Sequence, residues 1–84
     1  MTRHEILKGL GFILELSRKG ESSLGPWERW RHHTAPDNSD FALIIYESCN
    51  QASFFTDIQA MLLKVGRYAK AKQLKQVLNI EDDQ

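Results

Sequence analysis

Between Phe54 and Leu78 the apolar residues fall at three- and four-residue steps, interrupted once by a glycine. Phe54, Phe55, Ile58, Met61, Leu62 and Val65 form one stripe that stops at Gly66. Tyr68, Ala71, Leu74 and Leu78 form a second. That spacing gathers each set on one face of an α-helix, so the stretch predicts two helices, the second over about 67–79, joined by a glycine turn. Such a hairpin cannot cover its own apolar face, and the rest of the chain or a partner must do so.

The N-terminal residues read the same way. Thr2 and Glu5 make a capping box, each side chain satisfying the other's backbone N–H. Ile6, Leu7, Leu10, Ile13 and Leu14, with Ser17 beside them, continue on one helical face towards Arg18, Lys19 and a left-handed stop at Gly20. Gly9 and Gly11 lie inside this pattern and cost about 1 kcal/mol each against alanine. They either admit a second backbone closely or are tolerated weaknesses. Residues 20–25 read as a linker. Pro26 suits a first helical position, and "PWERWRHH" places Trp27, Trp30 and Arg31 on one side of a short helix that Pro36 ends. Asp37, Asn38 or Ser39 then offers capping chemistry. In "DFALIIYESC", Phe41, Ile44, Ile45 and Ser48 fit a helical stripe, while Ile-Ile-Tyr suits a strand. A lone strand leaves its hydrogen-bonding ladder unpaired, which favours the helix. The expected architecture is all-α: a bundle of four to five helices in a single small helical domain over 1–84, with helix 1 packed on the C-terminal hairpin and 81–84 as a frayed acidic tail.

At 84 residues the chain buries roughly 60–65% of its unfolded surface, so its core alone is marginal and a partner or a second copy of the chain is expected. Eleven basic residues balance eleven acidic ones, which argues against a molecule dominated by nucleic-acid or membrane attraction. One cysteine, Cys49, leaves no internal disulfide and no cysteine zinc cluster, which suits a reducing, cytoplasmic setting. No apolar run nears the ~20 residues of a membrane span. Ile6–Leu16 is interrupted by Glu15 and followed by no small-residue cleavage site, unlike a signal peptide. A soluble protein is expected.

Residues that carry chemistry are sparse. There is no glycine-rich phosphate loop, no paired-carboxylate motif and no nucleophile in a recognisable context, so neither catalysis nor a cofactor is expected. Adjacent His32 and His33 would diverge by about 100° on a helix, which fits a solvated pair, pH-sensitive at most, better than a metal site. Cys49 reads as a small buried hydrophobe on the third helix. Tryptophan and arginine dominate binding hot spots, so Trp27, Trp30 and Arg31, with Arg29 beside them, are candidate anchors for a partner protein. The alternative is that the tryptophans fill the core.

The last helix has two possible uses. Lys64, Arg67, Lys70, Lys72 and Lys75 include no acid among them, and helix–glycine–helix is the outline of a helix-turn-helix, so salt-dependent nucleic-acid binding is one reading. Against it, Gln73 and Gln76 are its base-reading candidates, and Glu81, Asp82 and Asp83 repel phosphate. Alternatively, residues 55–78 resemble a single tetratricopeptide-type hairpin. Phe55 and Leu62 stand at the large apolar positions, Gly66 and Tyr68 at the glycine-x-aromatic turn, and Ala71 at the helix crossing. Gln59 and Lys75 depart from that pattern, and the closing proline is missing. The resemblance implies a small adaptor or chaperone-like protein that shields a partner. The leading expectation is therefore non-catalytic protein binding through Trp27, Trp30 and Arg31 and through Tyr68, Lys72 and Lys75. The alternative is a nucleic-acid-binding regulator.

Overall fold

The computed structural model describes residues 2–20 and 23–74. The fold is α+β, not an all-α bundle of helices. Helix α1 (Arg3–Gly9) is followed by strands β1 (Phe12–Arg18), β2 (Trp27–His32) and β3 (Leu43–Tyr46), then by helix α2 (Gln51–Lys64). A last helical stretch, α3, covers 68–74 of the described residues. The chain divides into two compact units, Met1–Cys49 with the sheet and Asn50–Gln84 with the later helices.

In the first unit the capping box forms as the sequence implies: the Thr2 hydroxyl accepts from the Glu5 N–H, and the Glu5 carboxylate accepts from the Thr2 N–H. The helix then ends at Gly9 instead of running to Gly20. Gly11 is the physical reason. Its φ of +95° lies in the left-handed region, and a Cβ there would sit 2.9 Å from His32 Nε2 and 3.0 Å from the His33 ring. The chain therefore turns out of the helix and enters β1. The left-handed glycines are Gly11, Gly25 and Gly66, and Gly20 is not one of them.

The sheet is antiparallel in the order β1-β2-β3, with β2 at its centre. "PWERWRHH" is thus the central strand and not a short helix. Its alternation is of period two: Glu28, Trp30 and His32 face one way, Trp27, Arg29 and Arg31 the other. Cross-strand partners complete each face. Leu14, Trp30 and Leu43 form one rung, and Ser17, Glu28 and Ile45 another, on the face beneath α1. Arg18, Trp27 and Tyr46, and Leu16, Arg29 and Ile44, form rungs on the opposite face. A bulge at Glu15 shifts the register between Leu14 and Leu16. Residues 43–46 are a strand, not the helix that the sequence favours. The objection to a lone strand lapses because its partner is β2.

Leu7, Phe12, Trp30, Leu43 and Ile45 are buried in this unit. Each such side chain contributes on the order of 1.5–3 kcal/mol. Trp30 is fully enclosed. It meets the His4 ring edge-on at 5.3 Å and donates its indole N–H to Glu28 at 3.1 Å. The connection after β2 holds a 3₁₀ turn, Ser39–Phe41, capped by Asn38, whose side chain accepts from the Asp40 N–H at 3.0 Å.

In the second unit α2 starts where Asn50 accepts from the Ser53 N–H at 2.8 Å, and it buries Phe54, Phe55, Ile58, Met61 and Leu62. Gly66, at φ +81°, closes it with paired bonds: the Arg67 N–H reaches the Leu62 carbonyl at 2.8 Å, and the Gly66 N–H the Leu63 carbonyl at 3.1 Å. This arrangement is a Schellman cap. In α3, Ala71 and Leu74 are buried, but Tyr68 is 68% exposed instead of facing inward. Lys75, Gln76, Leu78 and the tail 81–84 lie outside the described residues. Among those described, no helix is long and apolar enough to cross a membrane.

Candidate functional site

The two expected anchor tryptophans part company. Because β2 is a strand, Trp30 points beneath α1 and is core, while Trp27 and Arg31 share the opposite face and are half-buried. Arg31 is bound within the fold. Its Nε donates to Glu15 at 2.9 Å, and its Nη1 donates to the Ala35 carbonyl at 2.8 Å. Arg29 Nε lies 3.8 Å from the same carboxylate, so the bulged Glu15 neutralises part of this face. Tyr68 and Lys72, with Lys64, Arg67 and Lys70, are exposed in the second unit. Trp27, Trp30 and Arg31 do not form one patch.

What the sheet does offer is a corner. Helix α1 leads into β1 through Gly11, and at its other end Arg3 Nη2 donates to the Cys49 carbonyl at 2.7 Å, just past β3. Arg3 Nη1 also reaches the Glu47 carbonyl at 3.4 Å. The helix therefore crosses its face of the sheet obliquely, from the start of β1 to the end of β3. It leaves uncovered the corner where β1 ends. A cavity of about 660 Å³ opens there. Leu7, Pro26 and Ile45 supply apolar lining, and Arg3 and Lys19 supply positive charge; Trp27 and Arg18 border the cavity from a rung whose side chains take the opposite face. The size falls in the ordinary range for binding pockets. Of the two lining acids, Glu28 is already occupied: His4 Nε2 lies 2.8 Å from its carboxylate, and the Trp30 indole also donates to it. Glu47 is exposed.

The second open feature adjoins this corner. Among the described residues no strand lies beyond β1, whose seven residues present a row of outward backbone N–H and C=O groups. Ile13 and Leu14, on opposite faces of that edge, are 45% and 39% exposed. β3, the other edge, has four residues, and short edges are self-limiting.

The remaining singled-out residues have local roles. His32 is buried at the end of β2, stacked on His33 at 4.7 Å and edge-on to Phe12 at 5.3 Å, so the two histidines are not a solvated pair on a helix. Its Nδ1 lies 2.7 Å from the Thr34 hydroxyl. Cys49 is half-buried just after β3, not on a helix, and its Sγ lies 3.5 Å from Arg3 Nη1. Among the described residues no three metal-binding side chains cluster. From the sequence, Arg18 and Lys19 read only as helix-end charges and Ile45 only as part of a helical stripe, and Arg3 carries no reading. The one signal available was the alternation through Glu28, Trp30 and His32, which implies a strand and hence a neighbour on each side. No family model, curated protein or solved structure matches the chain.

Proposed function

We propose that the protein is a non-catalytic protein-binding module that takes up an extended segment of a partner as a fourth strand along β1. The observation that supports this reading most is the β1 edge itself, seven residues long with apolar side chains exposed on both of its faces. Strand addition satisfies the outward backbone groups and covers Ile13 and Leu14 in one step. A small adaptor or chaperone-like protein in a reducing, cytoplasmic setting is the role that fits. The test is size exclusion with light scattering on the chain with its captured partner, repeated for the variant Ile13→Lys/Leu14→Lys. A discrete complex that the variant fails to form is the expected result. A monomer that captures no protein yet shifts DNA overturns the reading.

A second reading has its own observation. Lys64, Arg67, Lys70 and Lys72 are all exposed, so the second unit presents cations to solvent. Under this reading affinity for duplex DNA falls steeply with salt and drops further in Lys70→Glu/Lys72→Glu. Unchanged binding in that variant leaves the lysines as a solvated surface.

A further inference from the structure

We infer that His32 is an acid-operated fastener: protonation at its Nδ1 opens the corner where β1 begins, with or without a partner on the edge. His32 ends β2 and is enclosed, with 2% of its surface exposed. Each part of its ring meets something that belongs to the corner. The Thr34 backbone N–H donates to Nδ1 at 3.2 Å, and the Thr34 hydroxyl lies 2.7 Å from the same atom. Phe12, the first residue of β1, meets the ring edge-on at 5.3 Å, and His33 stacks on it at 4.7 Å. Gly11 closes over the far end, where a Cβ would lie 2.9 Å from Nε2. The neighbouring backbone completes the joint. The His33 N–H donates to the Gly11 carbonyl at 3.0 Å, and the Ala35 N–H to the His32 carbonyl at 2.9 Å.

A backbone N–H only donates, and that fixes the state of the ring. Because the Thr34 N–H points at Nδ1, this nitrogen is the bare acceptor, and the neutral ring carries its proton at Nε2. A second proton has only Nδ1 to go to. The Thr34 hydroxyl can rotate to accept from it, but the backbone N–H cannot, so that bond is lost and two donors face each other. The cation would also form in an enclosed site, away from most of its hydration. Around the corner the titratable and charged groups are few. His33 stacks directly on the ring and repels it whenever both are protonated. Lys8, in the last turn of α1, is a further cation near Gly11, whose N–H its carbonyl accepts. Glu15 and Arg31 pair with each other on the opposite face of the sheet. Glu28, four residues back along β2, is engaged by His4 and lies beyond Trp30. Acid therefore presents a proton that the fastened ring cannot take without losing the Thr34 bond, and the corner opens by releasing His32 to water.

The experiment is amide hydrogen exchange followed by NMR on the full chain from pH 7.5 to 5.5, with rates corrected for their intrinsic pH dependence. Opening that takes up one proton raises the open fraction about tenfold over this range, given a free histidine value of about 6.5. Protection of the His33 and Thr34 amides should fall by that factor, while that of the Phe54 amide, bonded to the Asn50 carbonyl in the second unit, holds. A parallel fall at Phe54 means that acid unfolds the whole chain, and the local device is overturned. Nitrogen-15 shifts of the His32 ring at pH 7.5 should show a bare Nδ1; a proton there overturns the inference. As the pH falls, the same signals should report protonation in step with the loss of protection, a reading that needs no variant to fold. Protonation with protection intact overturns it. His32→Asn keeps an oxygen to accept from Thr34 but takes up no proton, so its protection, even where lower throughout, should not change with pH. His33→Gln and His4→Gln should keep about the wild-type dependence. Retained dependence in His32→Asn, or its loss in His33→Gln, places the proton elsewhere and overturns the inference.

Discussion

Residues 12–18 and 51–64 both place apolar side chains three and four apart, yet the first is an edge strand and the second a helix. In α2 the helical stripe has no competitor. Phe54, Phe55, Ile58, Met61 and Leu62 are all buried, and the intervening positions are polar or exposed. In β1, Phe12 and Leu14 alternate at period two up to the bulge at Glu15, while Ile13 and Leu14 also extend the stripe of α1. Where two periods fit the same residues, local pattern does not decide, and long-range pairing does. Gly11 and the neighbouring strand β2 settle the matter in the first unit. Asn50 and Gly66 bracket a helix in the second that needs no distant partner to define its ends.

The comparison breaks most sharply at Trp30. As a fully buried residue between Leu14 and Leu43, it should cost about 3–5 kcal/mol when replaced by alanine, a large share of the stability of a small domain. Urea unfolding of Trp30→Ala measures this. A loss below about 1 kcal/mol means that the residue is not enclosed, and the strand assignment of 27–32 falls with it.

Two glycines sharpen the comparison at the next level. Gly11 and Gly66 are both left-handed, but a Cβ at Gly11 strikes His32 and His33, whereas at Gly66 it meets nothing within 4 Å. Gly66→Ala should therefore cost the backbone strain alone, about 1–2 kcal/mol. Gly11→Ala should cost more, about 2–4 kcal/mol, because a buried histidine must also move. Equal costs in thermal melts of the two variants remove the steric role of Gly11. Gly9→Ala is the control. With open space and no positive φ, it should be neutral or stabilising by up to about 1 kcal/mol.

These positions also show how far the sequence could be read. The helix start at Thr2, the α2 stripe and the Gly66 stop rest on contacts within a few residues, and such contacts are written in the local sequence. The sheet rests on pairs such as Phe12 with His32 and Trp30 with Leu43, which no local window contains. One misreading produced the next. With 12–18 and 27–32 taken for helices, residues 43–46 have no strand to pair with, and the helical stripe prevails there too. The cavity was illegible for the same reason, since Lys19, Trp27 and Ile45 come from three different strands or their ends. Of the expected anchors, Trp27 alone borders it.

The helix caps are the next test down. Asn50 holds the Ser53 N–H at 2.8 Å, so Asn50→Ala should cost about 1 kcal/mol by leaving a first-turn donor to water. The loss should appear in thermal melts followed by helical circular dichroism. A change below a few tenths of a kcal/mol would mean that the cap is not made in solution, and that packing, not local chemistry, fixes where α2 begins.

The smallest effects belong to the outer face of the second unit. Tyr68, Lys70 and Lys72 are exposed, so Tyr68→Ser and Lys70→Glu/Lys72→Glu should each change stability by no more than about 0.5 kcal/mol. A larger loss for Tyr68→Ser would show that the ring packs inward, as the helical stripe alone implies. That would restore Tyr68 to the core and leave Ala71 and Leu74 as part of a wider apolar face. A neutral result for all three keeps them on the solvent side, where any role they have must be in binding, and it makes the lysine pair a clean probe of the nucleic-acid reading because folding is held constant.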